Sequence, residues 1–190
     1  RYFGLSGVNN SPARFSYERL EWMNAYYIRQ LDKADLAERL IPFLRGAGYD
    51  VAAAALLPIV PLIQERLKTL REVVDWTRFF FEEELDYDPA LLVGKKMTPA
   101  ESLEALRRAR EMLARLDKFE GEAMEAPMRA LADDLEVKAG PLFGILRGAV
   151  TAQKVSPPLF ESMEILGRTK SLARIDRAIE VLEGQIAPTQ

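Results

Sequence analysis

The sequence predicts an all-α protein made of two packed helical subdomains, and three observations support that prediction. Apolar residues recur at three- and four-residue steps along nearly the whole chain, which is the spacing of one helical face. No segment alternates apolar and polar residues as a half-buried strand would. Helix start signals recur, and the clearest is the capping box Thr98-Pro99-Ala100-Glu101. We expect the joint between the subdomains near residues 76–90, where an acidic run ends at Asp88-Pro89.

The first predicted helix runs over residues 17–31, with Ser16 as its N-cap. One face is apolar and consists of Leu20, Met23, Tyr27 and Leu31. A second face is both aromatic and basic and consists of Arg19, Trp22, Tyr26 and Arg29. Such a face suits contact with a nucleic-acid backbone. From the pattern alone we favour the simpler interpretation, in which the rings pack against a neighbouring helix.

The next elements form the rest of the first subdomain. A second helix begins after the cap Asp32, contains Pro42 and ends at Gly46-Ala47-Gly48. Residues 51–76 predict an Ala-rich helix that breaks at its prolines, followed by a new helix from Pro61. The buried face of that new helix is predicted to be Leu62, Leu67, Leu70, Val73 and Val74.

Five helices are predicted in the second half. The capping box starts one over residues 99–116, and others cover 121–135, bent at Pro127, and 140–150. Ser156 is predicted to cap a helix that stops at Gly167, and a final helix contains residues 172–182. We therefore divide the chain into a connecting segment with the first helix (1–30), a first subdomain (31–76) and a second subdomain (77–190).

Composition excludes several classes of function. The 190 residues include no Cys and no His, which removes disulfides, thiolate or imidazole metal sites, and catalytic triads that need His. No paired carboxylates stand out as an acid and a base, so we assign no catalytic residue and no metal ligand. No apolar run approaches the roughly 20 residues that span a bilayer, and no signal peptide is evident, so we expect a cytoplasmic protein. The chain opens on Arg1-Tyr2-Phe3 without Met, and we take it for an excised piece of a longer protein.

The charge is unevenly distributed. The net charge is −3, but residues 76–137 carry 15 acidic and 9 basic side chains, while both ends are slightly basic. A partner with a phosphate backbone would have to meet the ends and avoid the centre. The acidic balance equally suits a helical protein-interaction module without RNA binding, which we keep as the alternative.

Two sets of residues are candidates for binding. Arg66, with Gln64 nearby, is expected to project from its helix, where its planar fork would suit a base edge. The simpler interpretation is a surface arginine paired with Glu65 or Glu72. The second set lies in the predicted helix–loop–helix of residues 140–167. It is a rigid exposed edge near Arg147, formed by Ser156, Pro157 and Leu159. From the residues alone we favour the simpler interpretation, an ordinary helical hairpin with a good cap.

Three separated motifs carry a family resemblance. They are F-S-Y-E-R-L-E-W-M-N-x-x-Y-I-R from residue 15, P-L-I-Q-E-R-L-K-T-L from residue 61, and R-x-A-V-T-x-x-x-V-S-P-P-L-F-E from residue 147. In this order they resemble the C-terminal anticodon-binding region of bacterial-type glutamyl-tRNA synthetases, which are class I aminoacyl-tRNA synthetases. The family usually has Gly at the positions of Ala25 and Ala152.

The resemblance implies roles for the candidate residues. Arg66, beside Gln64, falls on the arginine that reads the third anticodon base and separates enzymes restricted to tRNA-Glu from those that also charge tRNA-Gln, so it favours the restricted type. The residues that correspond to contacts with the first and second anticodon bases are Arg147, Ser156, Pro157 and Leu159. Arg19, Trp22 and Arg29 become candidates for contact with the tRNA backbone.

The resemblance also implies partners. The partners would be the anticodon loop of tRNA-Glu and a catalytic domain before Arg1, which a chain without His cannot itself contain. The parent enzyme would join glutamate to tRNA-Glu with ATP and magnesium, whereas this piece would need no cofactor. We expect it to be a monomer.

Overall fold

The computed structural model describes residues 16–186, and over that range the chain forms nine α-helices and two 3₁₀ turns without a β-strand. The helices are α1 Tyr17–Gln30, α2 Lys33–Gly46, α3 Ala53–Leu56, α4 Val60–Ile63, α5 Val73–Phe81, α6 Pro99–Arg115, α7 Gly121–Asp134, α8 Ala139–Thr151 and α9 Leu159–Ile186. The 3₁₀ turns are Leu70–Glu72 and Pro89–Leu92. The predicted all-α class is confirmed.

Buried apolar residues form two cores, one for each helical subdomain. The first core contains buried residues between Ile28 and Phe80 and is built mainly by α2 to α5. The second contains buried residues between Leu92 and Leu182, from α6, α7, α8 and α9. Leu166, on α9, packs against both cores. The two cores are therefore in contact, as expected of packed subdomains.

Helix α1 begins as predicted but buries a different face. The Ser16 hydroxyl accepts a hydrogen bond from the backbone N–H of Arg19 at 3.3 Å, which caps the helix. The predicted apolar face is wrong, because Leu20, Met23 and Tyr27 are 51%, 47% and 62% exposed. The helix instead buries only a narrow strip formed by Ala25 and Ile28. Since α1 carries apolar residues on two faces, its periodicity alone did not identify the buried one.

The helix predicted from Pro61 is interrupted. Helix α4 ends at Ile63, residues 64–66 form a turn, and a new helical segment starts only at Leu70. Glu72 stabilises the break, because its carboxylate accepts hydrogen bonds from the Lys68 N–H at 3.0 Å and the Thr69 hydroxyl at 3.2 Å. A side chain that binds the backbone in this way competes with helical hydrogen bonding.

The second half contains one confirmed helix start and one correction. The capping box at Thr98 is present in both directions. The Thr98 hydroxyl accepts a hydrogen bond from the Glu101 backbone N–H at 3.2 Å, and the Glu101 carboxylate accepts one from the Thr98 backbone N–H at 2.6 Å. Ser156, in contrast, is not an N-cap, since α9 begins only at Leu159. Gly167 interrupts α9 with a φ of 79°, a conformation that favours glycine, at the position where a helix stop was predicted.

One arginine joins the two subdomains. Arg174, on α9, is only 4% exposed and donates hydrogen bonds to three backbone carbonyls, those of Val150 at 2.8 Å, Phe79 at 2.6 Å and Glu82 at 2.8 Å. Burial lowers the pKa of Arg174. The Tyr87 hydroxyl lies beside it, donating to the Ala149 carbonyl at 2.9 Å, and burial raises the pKa of Tyr87 to about 12.

None of the helices in residues 16–186 combines the length and the apolar composition needed to cross a membrane.

Candidate nucleic-acid interface

Arg66 lies in a turn and not on a helix, which corrects the sequence prediction. The turn of residues 64–66 follows α4 and leaves the Arg66 side chain exposed. Its guanidinium carbon stands 5.5 Å from the centre of the Trp76 ring, a cation–π contact that orients the planar group. The expected alternative partners are not used, because no carboxylate among residues 16–186 forms an ion pair with Arg66; Glu65 lies 3.9 Å from Arg29. The ring therefore orients the guanidinium, whose N–H groups donate to no other residue in the range 16–186.

Gln64 has a structural role in the first subdomain. The residue is buried, and its amide nitrogen donates hydrogen bonds to the carbonyls of Ile28 at 3.0 Å and Leu31 at 2.9 Å. These carbonyls lie at the C-terminal end of α1, where the helix leaves acceptors without partners. Gln64 thus fixes α1 against the turn that carries Arg66.

Arg147 lies on α8 and is half-buried. Its Nη1 donates to the Ser156 hydroxyl at 2.7 Å and to the carbonyls of Ser156 at 3.3 Å and Pro157 at 3.0 Å. Its Nε and Nη2 donate to none of the described residues. Burial lowers the pKa of Arg147, and the nearby positive charge of Arg66 lowers it further. The two arginines predicted as site residues, one from each subdomain, therefore lie within electrostatic range of each other.

The expected exposed edge after α8 is wrong. Ser156 and Leu159 are only 3% and 5% exposed, and Pro157 is buried as well. The reason is that Arg147 binds the 156–157 backbone and draws it onto α8. The exposed part of the loop is Lys154 and Val155, and Val155 is 64% exposed. Ser156 and Pro157 hold Arg147, while a ligand would meet the preceding residues.

Ala152 shows that the loop keeps the conformation expected of glycine. Its φ of 50° and ψ of 30° are left-handed, although the side chain makes that conformation costly. Ala25, the other alanine at a position where glycine was expected, lies within helix α1. The adjacent Gln153 donates from its amide nitrogen to the Asp75 carbonyl at 2.9 Å. This hydrogen bond ties the loop to α5, next to Trp76.

The residues proposed on α1 divide between two locations. Trp22 and Arg29 line a cleft of about 380 Å³ together with Arg66, between α1 and the 65–68 segment. Trp22 is 65% exposed and stacks on Tyr26 with 6.0 Å between ring centres. Arg19 is exposed but does not line this cleft. The structure therefore brings Trp22, Arg29 and Arg66 together and leaves Arg19 apart.

Three residues of this surface were missed from the sequence. Trp76 was assigned only to the end of a helix, and Gln153 and Lys154 only to a loop. Charge and exposure gave no local signal for Trp76, because its contact with Arg66 depends on the turn at 64–66.

The described part of the chain contains no cluster of three or more acidic residues placed to hold a metal ion.

Comparison with known proteins gives consistent results. The family model described as an anticodon binding domain matches residues 35–179. The chain is 46% identical over 183 residues to a glutamate–tRNA ligase of Dehalococcoides mccartyi strain BAV1, which covers 94% of this chain and 38% of the relative. It is 40% identical over 190 residues to a glutamate–tRNA ligase of Chloroflexus aurantiacus, covering 95% of this chain and 38% of that relative. The chain thus spans about two fifths of the length of these curated relatives.

A solved structure shows the same fold. The crystal structure of a glutamate tRNA ligase from Elizabethkingia meningosepticum in complex with its amino acid matches with a TM-score of 0.79 and 24% identity. The match covers 95% of this chain and 35% of that chain.

Proposed function

Because the chain belongs to the family of anticodon-binding domains, in the form found in bacterial glutamate–tRNA ligases, we propose that it binds the anticodon loop of tRNA-Glu. The parent enzyme would attach glutamate to that tRNA in the cytoplasm with ATP and magnesium, using a catalytic domain that is a separate part of the protein. This part would hold the loop so that the acceptor end reaches the distant active site.

The observation that carries the proposal is the pair formed by Arg66 and Arg147. Neither guanidinium has a carboxylate partner among residues 16–186, so the pair presents two unneutralised cations at the junction of the subdomains. Such a pair suits a ligand that is rich in hydrogen-bond acceptors and phosphates. Arg66 has an exposed planar fork held over Trp76, and Arg147 has two nitrogens without a protein acceptor.

We assign distinct roles to the site residues. Arg66 reads the third anticodon base with its fork, while Arg147 contacts the first and second bases through Nε and Nη2. Ser156 and Pro157 position Arg147 through the hydrogen bonds described above. Leu159 supports them from the core. Gln64 is likewise a positioning residue, since its hydrogen bond to α1 holds the turn that presents Arg66.

Trp22 and Arg29 extend the surface towards the RNA backbone beyond the anticodon. Trp22 offers an exposed ring for stacking, and Arg29 forms only a long ion pair at 3.9 Å with exposed Glu65. Arg19 would contribute charge from the same helix. A monomer is sufficient for this function, since both arginines come from one chain.

The test is binding of this chain to a tRNA-Glu transcript and to a transcript in which only the third anticodon base is replaced. We expect about ten-fold tighter binding to the unaltered transcript, from one bidentate base contact. Binding should weaken steeply as salt rises, because binding releases counterions from the phosphates and a higher salt concentration opposes that release. Arg66→Ala should remove the preference. Arg71→Ala, which alters an exposed arginine of the same subdomain, is the matched control and should keep it.

Two results would oppose the proposal. Equal affinity of the unmutated chain for both transcripts would remove the assigned role of Arg66. Absence of any salt-sensitive binding would instead support the alternative, a helical module that binds protein.

A further inference from the structure

Helix α5 is part of the first core, and its backbone accepts hydrogen bonds from three side chains of the second subdomain within residues 16–186. Arg174 and Lys170, both on α9, donate to carbonyls of residues 79–82, at the C-terminal end of α5. Gln153, in the loop after α8, donates from its Nε2 to the Asp75 carbonyl at 2.9 Å, near the N-terminal end. The two ends of α5 are therefore linked to the second subdomain by different elements.

Gln153 also belongs to a continuous series of contacts between Arg147 and Arg66. Thr151, a buried residue, donates from its hydroxyl to the Arg147 carbonyl at 2.8 Å and accepts from the Gln153 backbone N–H at 3.2 Å. The Gln153 side chain then binds α5 one residue before Trp76. The Trp76 ring lies under the Arg66 guanidinium, with its centre 5.5 Å from the guanidinium carbon. Gln153 therefore joins the backbone segment of one site arginine to the ring that orients the other.

Charge repulsion makes this connection important. Burial lowers the pKa of Arg147, and the positive charge of Arg66 lowers it further, so the two guanidinium groups repel each other. Repulsion favours conformations in which the loop after α8 moves away from α5. The Gln153 hydrogen bond opposes that movement and keeps both cations in place before a ligand arrives. A site that is ordered in advance loses less conformational freedom when it binds.

Gln153 can be changed without separating the subdomains. Arg174 and Leu166 still connect α9 to the first core when Gln153 is replaced. The hydrogen bond to Asp75 lies at an exposed position, so water can replace the lost donor. The Gln153 Oε1 is buried and accepts no hydrogen bond from residues 16–186. Methionine at this position therefore removes one hydrogen bond and one unpaired acceptor together, and the fold should stay intact.

We propose that Gln153 is a positioning residue that fixes the spacing between Arg66 and Arg147, so that both arginines contact the anticodon at the same time. The preference for the third anticodon base then depends on Gln153, although Gln153 itself does not touch that base. This inference rests on the proposed function and adds to it a residue outside the base contacts.

The experiment uses Gln153→Met, which keeps the length of the side chain and removes its donor. The RNA probes are the tRNA-Glu transcript and the transcript in which only the third anticodon base is replaced. Gln153→Met should bind the unaltered transcript about five-fold more weakly, which is the change that one net hydrogen bond supports. Binding to the altered transcript should change by less than about two-fold, because Arg66 has no matching base to contact there. The preference for the third base should therefore fall from about ten-fold to about two-fold.

Lys170→Met is the matched control. Lys170 donates to the Phe80 carbonyl at 3.4 Å, so this variant also removes a link between the second subdomain and α5, but at the end away from Trp76. It should keep the full preference for the third base. Circular dichroism checks that both variants are folded.

Arg66→Ala supplies the background that separates positioning from direct contact. Only Arg147 of the pair remains there, and no spacing between two arginines is left to fix. Adding Gln153→Met to Arg66→Ala should therefore leave the affinity for both transcripts within about two-fold. A further loss would show that Gln153 contacts the RNA itself and would overturn the inference.

A folded Gln153→Met chain that keeps the full preference would overturn the inference and leave the proposed function intact. Equal weakening on both transcripts would also overturn it, because a general loss of structure gives that result. If the unmutated chain showed no preference between the two transcripts, the proposed function itself would fail, and the inference with it.

Discussion

Arg66 and Arg147 belong to different subdomains, yet their guanidinium groups are close enough for the charge of Arg66 to lower the pKa of Arg147. Burial is the larger cause of that shift. The two side chains differ in how they are held, since the Arg147 guanidinium donates to the 156–157 backbone, whereas the Arg66 guanidinium lies over the Trp76 ring and donates to none of residues 16–186. Arg147 therefore stabilises the loop through Nη1, whereas the Arg66 guanidinium forms no hydrogen bond within residues 16–186.

The first prediction tests that difference through stability. Arg147→Met should lower the free energy of unfolding by about 1–3 kcal/mol, because the hydroxyl and carbonyls at residues 156–157 lose their donor. Arg66→Ala should change it by less than about 0.5 kcal/mol, since an exposed side chain is lost and a repulsion is relieved. Urea denaturation followed by circular dichroism measures both. Equal losses in the two variants would show that Arg66 is also structural.

The second prediction concerns Arg174, which joins α9 to the ends of α5 and α8. Arg174→Met keeps much of the buried volume but removes the donors to the carbonyls of Val150, Phe79 and Glu82. We expect the free energy of unfolding to fall by about 3 kcal/mol or more, because each buried carbonyl left without a donor destabilises the folded chain. Urea denaturation measures this change, and the midpoint should fall while the dependence of the unfolding free energy on urea concentration stays the same.

Arg107→Met is the matched control for Arg174. Arg107 is about half exposed and pairs with Glu183 at 2.7 Å on the surface. A surface ion pair contributes about 1 kcal/mol or less, so this variant should unfold close to the unmutated midpoint. A similar loss in both variants would contradict the linking role of Arg174.

The sequence was sufficient where local chemistry decides the structure. The capping box at Thr98, the cap at Ser16 and the glycine at position 167 each act within a few residues, and the structure has a start or a break at each. It was insufficient where the outcome depends on a distant partner. The buried face of α1 depends on which strip meets the first core, and Gln64 is buried because α1 ends beside it.

The candidate site shows the same division. Arg66 and Arg147 were predicted as site residues from the sequence and stay predictions, whereas the predicted exposure of Ser156, Pro157 and Leu159 is wrong. A serine before two prolines predicts a helix cap by local rules. In the structure the Ser156 hydroxyl accepts from Arg147, nine residues earlier, and does not cap the helix. The loop therefore folds onto α8. Trp76 belongs to this surface because the turn at 64–66 places Arg66 over its ring, and Gln153 belongs to it because its amide reaches Asp75 of the first subdomain.

The third prediction uses the left-handed conformation of Ala152. Ala152→Gly should raise the free energy of unfolding by up to about 1 kcal/mol, because glycine adopts a φ of 50° without a steric cost. Ala173→Gly, within helix α9, should lower it by a similar amount, because glycine is unfavourable in a helix interior. Thermal melts of the two variants should therefore shift in opposite directions. A decrease in both would mean that Ala152 is not strained.

The fourth prediction concerns the pH dependence of stability at Tyr87. Burial raises its pKa from 10.0 to about 12 in the folded protein, so the neutral phenol is favoured there. Its contribution to stability is fully present below pH 10 and is lost as the pH rises towards 12, because the unfolded chain ionises first.

Tyr87→Phe separates this effect from other groups that titrate in alkali. At pH 7 the variant should be less stable by about 0.5–1.5 kcal/mol, because the hydroxyl no longer donates to the Ala149 carbonyl. The deficit should shrink between pH 10 and 11, since only the unmutated chain loses the contribution of Tyr87 there. Tyr49, whose pKa is also raised, is present in both proteins and cancels in the difference. Urea midpoints at pH 7, 9, 10 and 11 measure the trend, and a deficit that stayed constant would show that the Tyr87 hydroxyl titrates alike in the folded and unfolded chains.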